Sequence, residues 1–512
     1  MAEHVILAPE KLTKLREMNP ALISYNVEMT EVTGGTFWRA YTDAQIDGTE
    51  EVPPPDFSKG MAAMHQWYDP IDTTNPRLIK LARALGKCWI RVSGTWATKT
   101  YYDFEDKYPK GTAPEGYQNV LKREQWINLL NFVKAVGGRL KISVANCDGL
   151  HTAEEPWHPE QAEKIFALSK EHGVPIEAVE FVNEPNMLTM TGFPKGYTAE
   201  HFRRDQDIFH KWVRENYPEC LIVGPSDTDP NAMSVDAWGN PQPGASFGGM
   251  DTAGIAAVMA YCTTADLMDG CTEKLDVFSY HYYNGISERM RAMMPSAYTP
   301  AEGAMSEEYL GAAVTSARCF TSYRDKYCPG GEMWVTESGD AGAGGHTWAS
   351  TYLEVPRTLN EIGGFATVTN GVIFHNTLAS SDYGWLKHGS FDPRPSYFAV
   401  LLWKHLMGDV ALDTHEPTRM GAHVYAHTRR DGKDGACYLV INNSRTDTTT
   451  VTLPRGAVVY ALTGEGSLRS RRMLLNGKPL TLGEGDELPE FVGVKASGDI
   501  TVEPGGCTFI VV

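Results

Sequence analysis

Two glutamates that each follow a short apolar run are the strongest chemical signal in this sequence. Residues 179–182 are mostly apolar and lead into Asn183 and Glu184, and residues 333–336 lead into Glu337 in the same way. Such runs are typical of buried parallel strands, whose polar side chains appear where the strand leaves the core. Two carboxylates at the open ends of strands are what acid/base and nucleophilic chemistry at an acetal carbon requires.

Length and composition restrict what kind of protein can carry this pair. A chain of 512 residues suits a barrel of about 250 residues, enlarged by insertions and joined to a smaller domain. The formal charge of −18 argues against nucleic acid or an anionic membrane as partner. No window approaches the ~20 apolar residues of a membrane helix. The oligomeric state stays open.

The cysteines and the first residues of the sequence bear on cofactors and location. The nine cysteines are scattered, odd in number and without CxxC spacing, which favours free thiols in a reducing compartment and gives no support for zinc. The opening residues have neither a basic region nor an apolar run long enough for a signal peptide. We therefore expect a cytoplasmic protein without a cofactor or a metal.

Eight β-rich segments, alternating with stretches of helical spacing, organise the first 400 or so residues. This order predicts a (β/α)8 barrel. An open doubly wound sheet is the rival, but it usually has a glycine-rich phosphate turn after its first strand, and residues 28–30 form no such turn. The β-rich segments are 21–29, 88–95, 140–147, 178–184, 220–226, 275–283, 332–338 and 371–377.

Long insertions and a change of character near residue 408 complete the predicted organisation. The insertions 31–72, 96–122, 227–250 and 284–305 are expected to form a substrate-binding rim. After residue 408, short strands separated by turns such as Asp431-Gly432 and Asn476-Gly477 predict an antiparallel β-sandwich. We predict a catalytic barrel over 12–407 and a sandwich over 408–512, with an added strand from within 1–11.

Strand order and the neighbouring residues favour a role for each of the two glutamates. Active sites on this fold lie at the carboxyl ends of the strands, which places Glu184 at the fourth strand and Glu337 at the seventh. Asn183 is suited to donate to a sugar 2-hydroxyl, which favours Glu184 as acid/base and Glu337 as nucleophile, with Tyr283 as a donor to it. The sequence leaves open the carboxyl separation, ~5–5.5 Å for retention or ~6.5–9.5 Å for inversion.

The motifs around these residues resemble those of the clan A retaining glycosidases and, more narrowly, glycoside hydrolase family 79, the β-glucuronidases and heparanases. The resemblance spans most of the barrel in the right order. Its motifs are Arg77–Leu85, Arg91–Thr95, Asn183–Asn186, His281–Gly285, Thr336–Ser338 and Phe391–Pro395.

This resemblance implies a retaining mechanism and a set of substrate contacts. It implies Glu184 as acid/base and Glu337 as nucleophile, both at the barrel mouth. The implied substrate-binding residues are Asn183 for the 2-hydroxyl, Tyr283 to orient the nucleophile, Glu28 and Thr95 for sugar hydroxyls, and Gly344, Gly345 and Tyr383 for the glucuronate carboxylate. Backbone N–H groups of a glycine-rich turn can hold such an anion without a cation.

Other residues have competing interpretations. His281 is included among the predicted substrate-binding residues, and it supports the mouth by hydrogen bonding more readily than it transfers protons. Trp38, Trp67, Trp96 and Trp348 could stack on sugar rings or could belong to the core.

We therefore predict a retaining glycosidase that removes terminal β-D-glucuronides. Endo cleavage of a sulfated chain is the nearest alternative, but the insertions lack strong Lys/Arg clusters. The further alternatives are a clan A β-glycosidase for a neutral sugar and a non-catalytic carbohydrate-binding barrel.

Overall fold

The computed structural model describes residues 3–109, 111–228, 234–235, 241–242 and 261–512. Eight parallel strands close into a barrel in which each strand pairs with the next along the chain and the eighth pairs with the first. The predicted (β/α)8 barrel is thereby confirmed. Its strands are Ile23–Glu28, Trp89–Ser93, Arg139–Ile142, Ile176–Val179, Leu221–Asp227, Val277–Tyr283, Glu332–Gly339 and Ile373–His375.

The helices begin and end where local chemistry favours it. Asn75 caps the helix that follows it, since its side chain accepts from Arg77 N at 2.9 Å and Pro76 takes the first helical position. Gly137 ends the helix before it with φ of 70°, in the left-handed region. The helices are Met29–Thr33, Asp43–Asp47, Pro76–Ala84, Arg123–Val136, Glu160–Glu171, Ala199–Asn216, Thr264–Met268, Glu307–Tyr327, Glu354–Val368 and Pro395–Leu406.

The insertions carry small elements of their own near the carboxyl ends of the barrel strands. The first contains an antiparallel pair, Gly35–Trp38 with His65–Tyr68, and the second a parallel pair, Thr100–Asp103 with Asn119–Lys122. The last insertion contains short 3-10 segments, one of them Glu288–Met290. The predicted insertion 227–250 lies almost entirely outside the described residues.

A second sheet, mainly antiparallel, follows the barrel, and the predicted strand near the amino terminus joins it. Glu3–Ile6 pairs in parallel with the long strand Thr449–Gly464. Thr13–Glu17 also belongs to this sheet, pairing with Met407–Asp413, while the division at 12–407 and 408–512 remains a prediction. The other strands are His423–Arg429, Ala436–Ile441, Met473–Leu475, Lys478–Pro479, Val494–Val502 and Cys507–Val511.

The interior of the barrel changes from apolar to charged along the strands. At the amino-terminal end, Trp89 and Trp334 pack with ring centroids 5.0 Å apart, and Phe374 packs on Trp334. Two residues further along the second strand, Arg91 is fully buried. Side chains two apart on a strand face the same side, so one strand supplies both the apolar floor and a charge above it.

Two further properties follow from the described residues. The nine cysteines are free thiols, and all but Cys271 are buried. Across these ranges no helix combines the length and the apolar character needed to cross a membrane.

Candidate active site

A buried network of charges lies beneath the barrel mouth. Arg91 donates to Oε1 of Glu180 from Nε at 3.0 Å and from Nη2 at 2.6 Å, and Lys141 pairs with the other carboxylate oxygen. Burial opposes ionisation of Glu180, but Arg91 and Lys141 outweigh it and hold the pKa of that carboxyl far below its usual range. Since a buried charge is tolerated when it is paired and hydrogen-bonded, this network is a fixed support for the residues above it.

Glu337 is the carboxylate that the network holds ionised. Arg91 Nη1 donates to its Oε1 at 2.9 Å, and the hydroxyl of Tyr283 donates to its Oε2 at 2.7 Å. Burial alone would raise its pKa, but His281, Arg91 and the Tyr283 hydrogen bond together lower it below the ordinary value. An ionised carboxylate oriented by donors on both oxygens is suited to act as a nucleophile.

Glu184 has the opposite electrostatic character. Burial, which has the largest effect, raises its pKa, and the hydrogen bond with His281 lowers it. The charge of Glu337 raises the pKa further, so the net shift is upward. Its Oε1 lies 3.1 Å from Nδ1 of His281, and its side chain remains 14% exposed at the cavity. The backbone at Glu184 has φ of +46°, a region that residues other than glycine rarely adopt. A carboxyl that faces a cavity and has a raised pKa keeps its proton to higher pH, which suits a general acid.

The two glutamates meet around His281. One oxygen of each carboxylate and a ring nitrogen of the fully buried His281 lie within 4.8 Å of one another. At least one oxygen of each carboxylate is therefore closer to the other than the ~6.5–9.5 Å typical of inverting glycosidases, a spacing that favours retention. Three such groups could also ligate a cation, and the predicted absence of a metal stays a prediction.

Asn183 is oriented by the same arginine. Arg91 Nη2 donates to its Oδ1 at 2.7 Å, which turns the amide nitrogen towards Thr95, whose Oγ1 lies 3.5 Å away. Asn183 and Thr95 both line the cavity. The amide nitrogen of Asn183 is thus a donor beside Glu184, and its contact with a sugar 2-hydroxyl stays a prediction.

Glu28 lies on the cavity wall and packs on a glycine. A Cβ at Gly94 would lie 1.6 Å from Oε2 of Glu28, and Gly94 has φ of +90°, so this position excludes any larger residue. Burial, followed by the charge of Glu337, raises the pKa of Glu28 well above its ordinary value. The backbone N–H of Glu28 donates to Oε2 of Glu31 at 2.7 Å.

The two predicted tyrosines are joined by an asparagine that sequence reasoning missed. Asn376 Nδ2 donates to the hydroxyl of Tyr283 at 2.9 Å and to that of Tyr383 at 3.2 Å. Asn26 in turn donates to Oδ1 of Asn376 at 3.1 Å. The amide therefore fixes both hydroxyls on the side of the cavity that holds Glu337.

The glycine-rich turn lies near these tyrosines, held by an arginine. Ala343, Gly344 and Gly345 have φ of 63°, 89° and 86°. Arg289 Nη1 donates to the carbonyls of Ala343 at 3.2 Å and Gly345 at 3.0 Å. Ala343 lines the cavity, and the predicted Gly344 and Gly345 follow it, packed against Trp38 and Tyr383, which also line the cavity.

A cavity of about 770 Å³ connects these groups. The predicted residues that line it are Glu28, Thr95, Asn183, Glu184, Tyr283, Glu337 and Tyr383. His281 lies behind the glutamates. Trp38, Trp67 and Trp96 line the cavity, while Trp348 is buried in a separate cluster.

The role of the charged residues inside the barrel was not predicted from the sequence. Arg91, Lys141 and Glu180 occupy interior positions of strands or strand ends that are otherwise apolar. An ionisable residue in such a run is itself a signal of a paired, functional charge. Asn376 and Arg289 carry no comparable pattern in the sequence.

No protein-family model matches the chain. Heparanase-like protein 1 of Arabidopsis thaliana is 24% identical to it over 496 residues, covering 86% of this chain and 84% of that protein. Hyaluronoglucuronidase of Hirudo nipponia is 26% identical to it over 489 residues, covering 86% of this chain and 90% of that protein. Baicalin-beta-D-glucuronidase of Scutellaria baicalensis is 28% identical over 186 residues, 35% of each chain.

Among solved structures, a 4-O-alpha-L-rhamnosyl-beta-D-glucuronidase from Fusarium oxysporum 12S superposes with a TM-score of 0.62 over the whole of both chains, at 13% identity. At that identity the likeness concerns the fold. Together with the relatives, it confirms the resemblance predicted from the sequence.

Proposed function

We propose that this chain removes terminal β-D-glucuronides with retention of configuration. It would do so as a glycosidase related to the β-glucuronidases and heparanases of glycoside hydrolase family 79. The observation that carries the mechanism is the pairing of Glu184, whose pKa is raised, with Glu337, whose pKa is lowered, within 4.8 Å. Two carboxyls whose environments separate their pKa values in this way divide into an acid and a nucleophile.

The first displacement forms a covalent intermediate. Glu337 attacks the anomeric carbon while Glu184 gives its proton to the glycosidic oxygen. The bond between that oxygen and the anomeric carbon breaks, and the aglycone leaves with the proton. The product is an ester between the sugar and Glu337.

The second displacement restores the enzyme. Glu184, now ionised, takes a proton from a water molecule, whose oxygen attacks the anomeric carbon. The ester bond to Glu337 breaks, and the two inversions together retain the β configuration. Asn183, held by Arg91 at 2.7 Å, donates to the 2-hydroxyl, a contact that strengthens at the transition state.

The glycine-rich turn supports recognition of the glucuronate carboxylate. Among the described residues, Gly342 N and Gly345 N donate to the carbonyls of Gly285 and Ala341. Ala343 and Gly344 then supply the successive N–H groups, one residue before the predicted pair, and successive N–H groups in left-handed residues form an anion-binding concavity. Arg289, bonded to the carbonyls of this turn, polarises its peptide groups, and the Tyr383 hydroxyl completes the site.

A panel of aryl β-D-glycosides, with NMR detection of the first anomer released, tests the proposal. We expect turnover of the glucuronide with the β-anomer formed first. Preference for glucosides or xylosides would contradict the substrate, and a first-formed α-anomer would contradict the mechanism. Full activity in both Glu184→Gln and Glu337→Gln would indicate that these carboxyls are dispensable.

A further inference from the structure

Of the residues that the structure describes, five methionines and three tryptophans line the cavity, and two of the methionines, Met187 and Met190, lie in the loop that follows Glu184. Building on the proposed function, we infer that the leaving group is a flat, apolar aromatic aglycone, and that a sulfated or carboxylated sugar chain is a poor fit. The inference names the class of glucuronide that this chain hydrolyses.

Two methionines are fixed next to Glu184 by backbone hydrogen bonds. Met187 N donates to the carbonyl of Glu184 at 3.1 Å, and Met190 N donates to the carbonyl of Met187 at 2.9 Å. The hydroxyl of Thr191 bonds to both of these carbonyls, at 2.6 and 3.0 Å. Because the acid must reach the glycosidic oxygen, the aglycone lies on the side of the cavity where Met187 and Met190 stand.

The loop after the second strand completes this wall. Trp96 follows Thr95, which is within 3.5 Å of the Asn183 amide. The ammonium of Lys99 lies 4.5 Å from the centre of the Trp96 ring. A Cβ at Gly192 would lie 2.4 Å from Cδ of Lys99, so the methylene stem of Lys99 packs directly on the loop that carries Met187 and Met190.

The charges of the cavity disfavour an anionic chain. Within the described ranges, Lys99 is the one lysine or arginine that lines the cavity, and Glu28, Glu184 and Glu337 line it too. Burial, then the charges of Arg289 and Lys99, lowers the pKa of His65 to about 4, so this lining side chain is neutral near pH 7. Sulfates and carboxylates along a polysaccharide are normally held by several arginines or lysines.

The apolar lining suits an aromatic ring. Trp67 is 65% exposed and Met190 is 36% exposed at the mouth, although side chains this large and apolar are usually buried. Methionine adapts its shape to varied surfaces and makes favourable sulfur–aromatic contacts, and tryptophan offers a rigid face. The volume of about 770 Å³ falls within the ~300–1,000 Å³ typical of sites for drug-sized ligands, which is room for a sugar and a ring system.

Four substrates test the inference in the chain of 512 residues. They are a flavone 7-O-glucuronide, a one-ring phenyl glucuronide whose phenol has the same acidity, β-D-glucuronyl fluoride, and an oligosaccharide that ends in glucuronate. Matched acidity removes the leaving-group effect, and the fluoride has no aglycone to bind. We expect kcat/KM for the flavone glucuronide to exceed that for the one-ring compound by about tenfold, mainly through KM, as for added apolar contacts.

Variants at the wall identify the residues involved. In Met187→Ser and Met190→Ser we expect the ratio of kcat/KM for the flavone glucuronide to that for the fluoride to fall about tenfold, the size of effect that loss of apolar contacts gives. Met420→Ser, at an exposed methionine in the turn before the strand His423–Arg429, should leave the ratio unchanged. Melting temperatures establish that each variant is folded.

The outcomes separate the two proposals. Equal or higher kcat/KM for the oligosaccharide than for the flavone glucuronide would overturn the inference, as would an unchanged ratio in both wall variants. Failure of the native chain to hydrolyse glucuronyl fluoride would instead contradict the proposed function.

Discussion

Arg91 donates a hydrogen bond to Glu337 at 2.9 Å although the two residues lie 246 positions apart in the chain. The same guanidinium also bonds to Glu180 and Asn183. A planar group with five donors in fixed geometry can hold three partners that lie apart from one another, whereas the donors of a lysine all sit on one nitrogen atom. The orientation of the nucleophile and that of the 2-hydroxyl donor are therefore set by one side chain.

Arg91→Lys is expected to lower kcat/KM by at least about 100-fold, the loss typical of a donor at a developing charge. Arg91 contributes to the lowered pKa of Glu337, so the substitution should raise that pKa and move the acidic limb of the pH profile to higher pH. The profile of kcat/KM measures both effects. Arg83→Lys, at an exposed residue of the helix Pro76–Ala84, is the matched control, and an unshifted acidic limb in Arg91→Lys would contradict the role.

The native chain should show a bell-shaped dependence of kcat/KM on pH. Activity should fall as the pH drops through the lowered pKa of Glu337, which must be ionised, and as the pH rises through the raised pKa of Glu184, which must be protonated. In Glu184→Gln, activity on phenyl glucuronides should fall about 10²–10⁴-fold. When this variant is assayed on glucuronyl fluoride with azide added, its pH profile should lack the basic limb. Glu177→Gln, at the exposed start of the fourth strand, serves as control. A basic limb that persists in Glu184→Gln would assign it to another group.

Substitutions of Tyr283 and Tyr383 should change different kinetic parameters. Tyr283→Phe removes a 2.7 Å hydrogen bond to Glu337, so we expect kcat to fall by about 10–100-fold and the acidic limb to move to higher pH. Tyr383→Phe should mainly raise KM for glucuronides, because that hydroxyl is proposed to contact the substrate carboxylate. Steady-state kinetics over a range of pH distinguishes these cases, and the same change in both variants would contradict the division.

Arg289→Lys should reduce selectivity for the acidic sugar. A lysine cannot reach the carbonyls of Ala343 and Gly345 together while pairing with Asp382, as Arg289 does. We expect the ratio of kcat/KM for phenyl glucuronide to that for phenyl glucoside to fall about tenfold, as for weakened polar contacts in a binding site. Arg291→Lys, at a residue near the surface of the same insertion, is the control. An unchanged ratio would show that the glycine-rich turn keeps its shape without the guanidinium of Arg289.

Gly94→Ala should damage both stability and activity. The new methyl would meet Glu28 Oε2 at 1.6 Å, and the residue has φ of +90°. Gly86→Ala has a similar φ of +67° with nothing within 4 Å, so it isolates the backbone cost of roughly 1–2 kcal/mol. Urea unfolding and KM measure the difference. Equal destabilisation in the two variants, with KM unchanged, would mean that Glu28 moves freely.

Local patterns predicted the scaffold well. The eight strands and the second sheet with its amino-terminal strand follow from apolar runs, helical spacing and turn residues. The third and fourth strands end earlier than predicted, at Ile142 instead of 147 and at Val179 instead of 184. Beyond these ends regular pairing gives way to single backbone hydrogen bonds, from Glu180 N to the carbonyl of Ile142 at 3.0 Å and from Val144 N to that of Phe181 at 3.1 Å. Glu184 therefore lies beyond the end of its strand, where its N–H donates to the carbonyl of Ser226 at 3.2 Å.

The sequence by itself determined which residues could perform the chemistry and which fold would present them, because side-chain type and strand order are properties of the chain. Tertiary structure alone decided that Arg91 and Asn376 orient them, that one oxygen of each carboxylate lies within 4.8 Å of the other, and that Met187 and Met190 line the cavity beside the acid. These relationships join distant segments, and they depend on barrel closure and strand register, which no local pattern encodes.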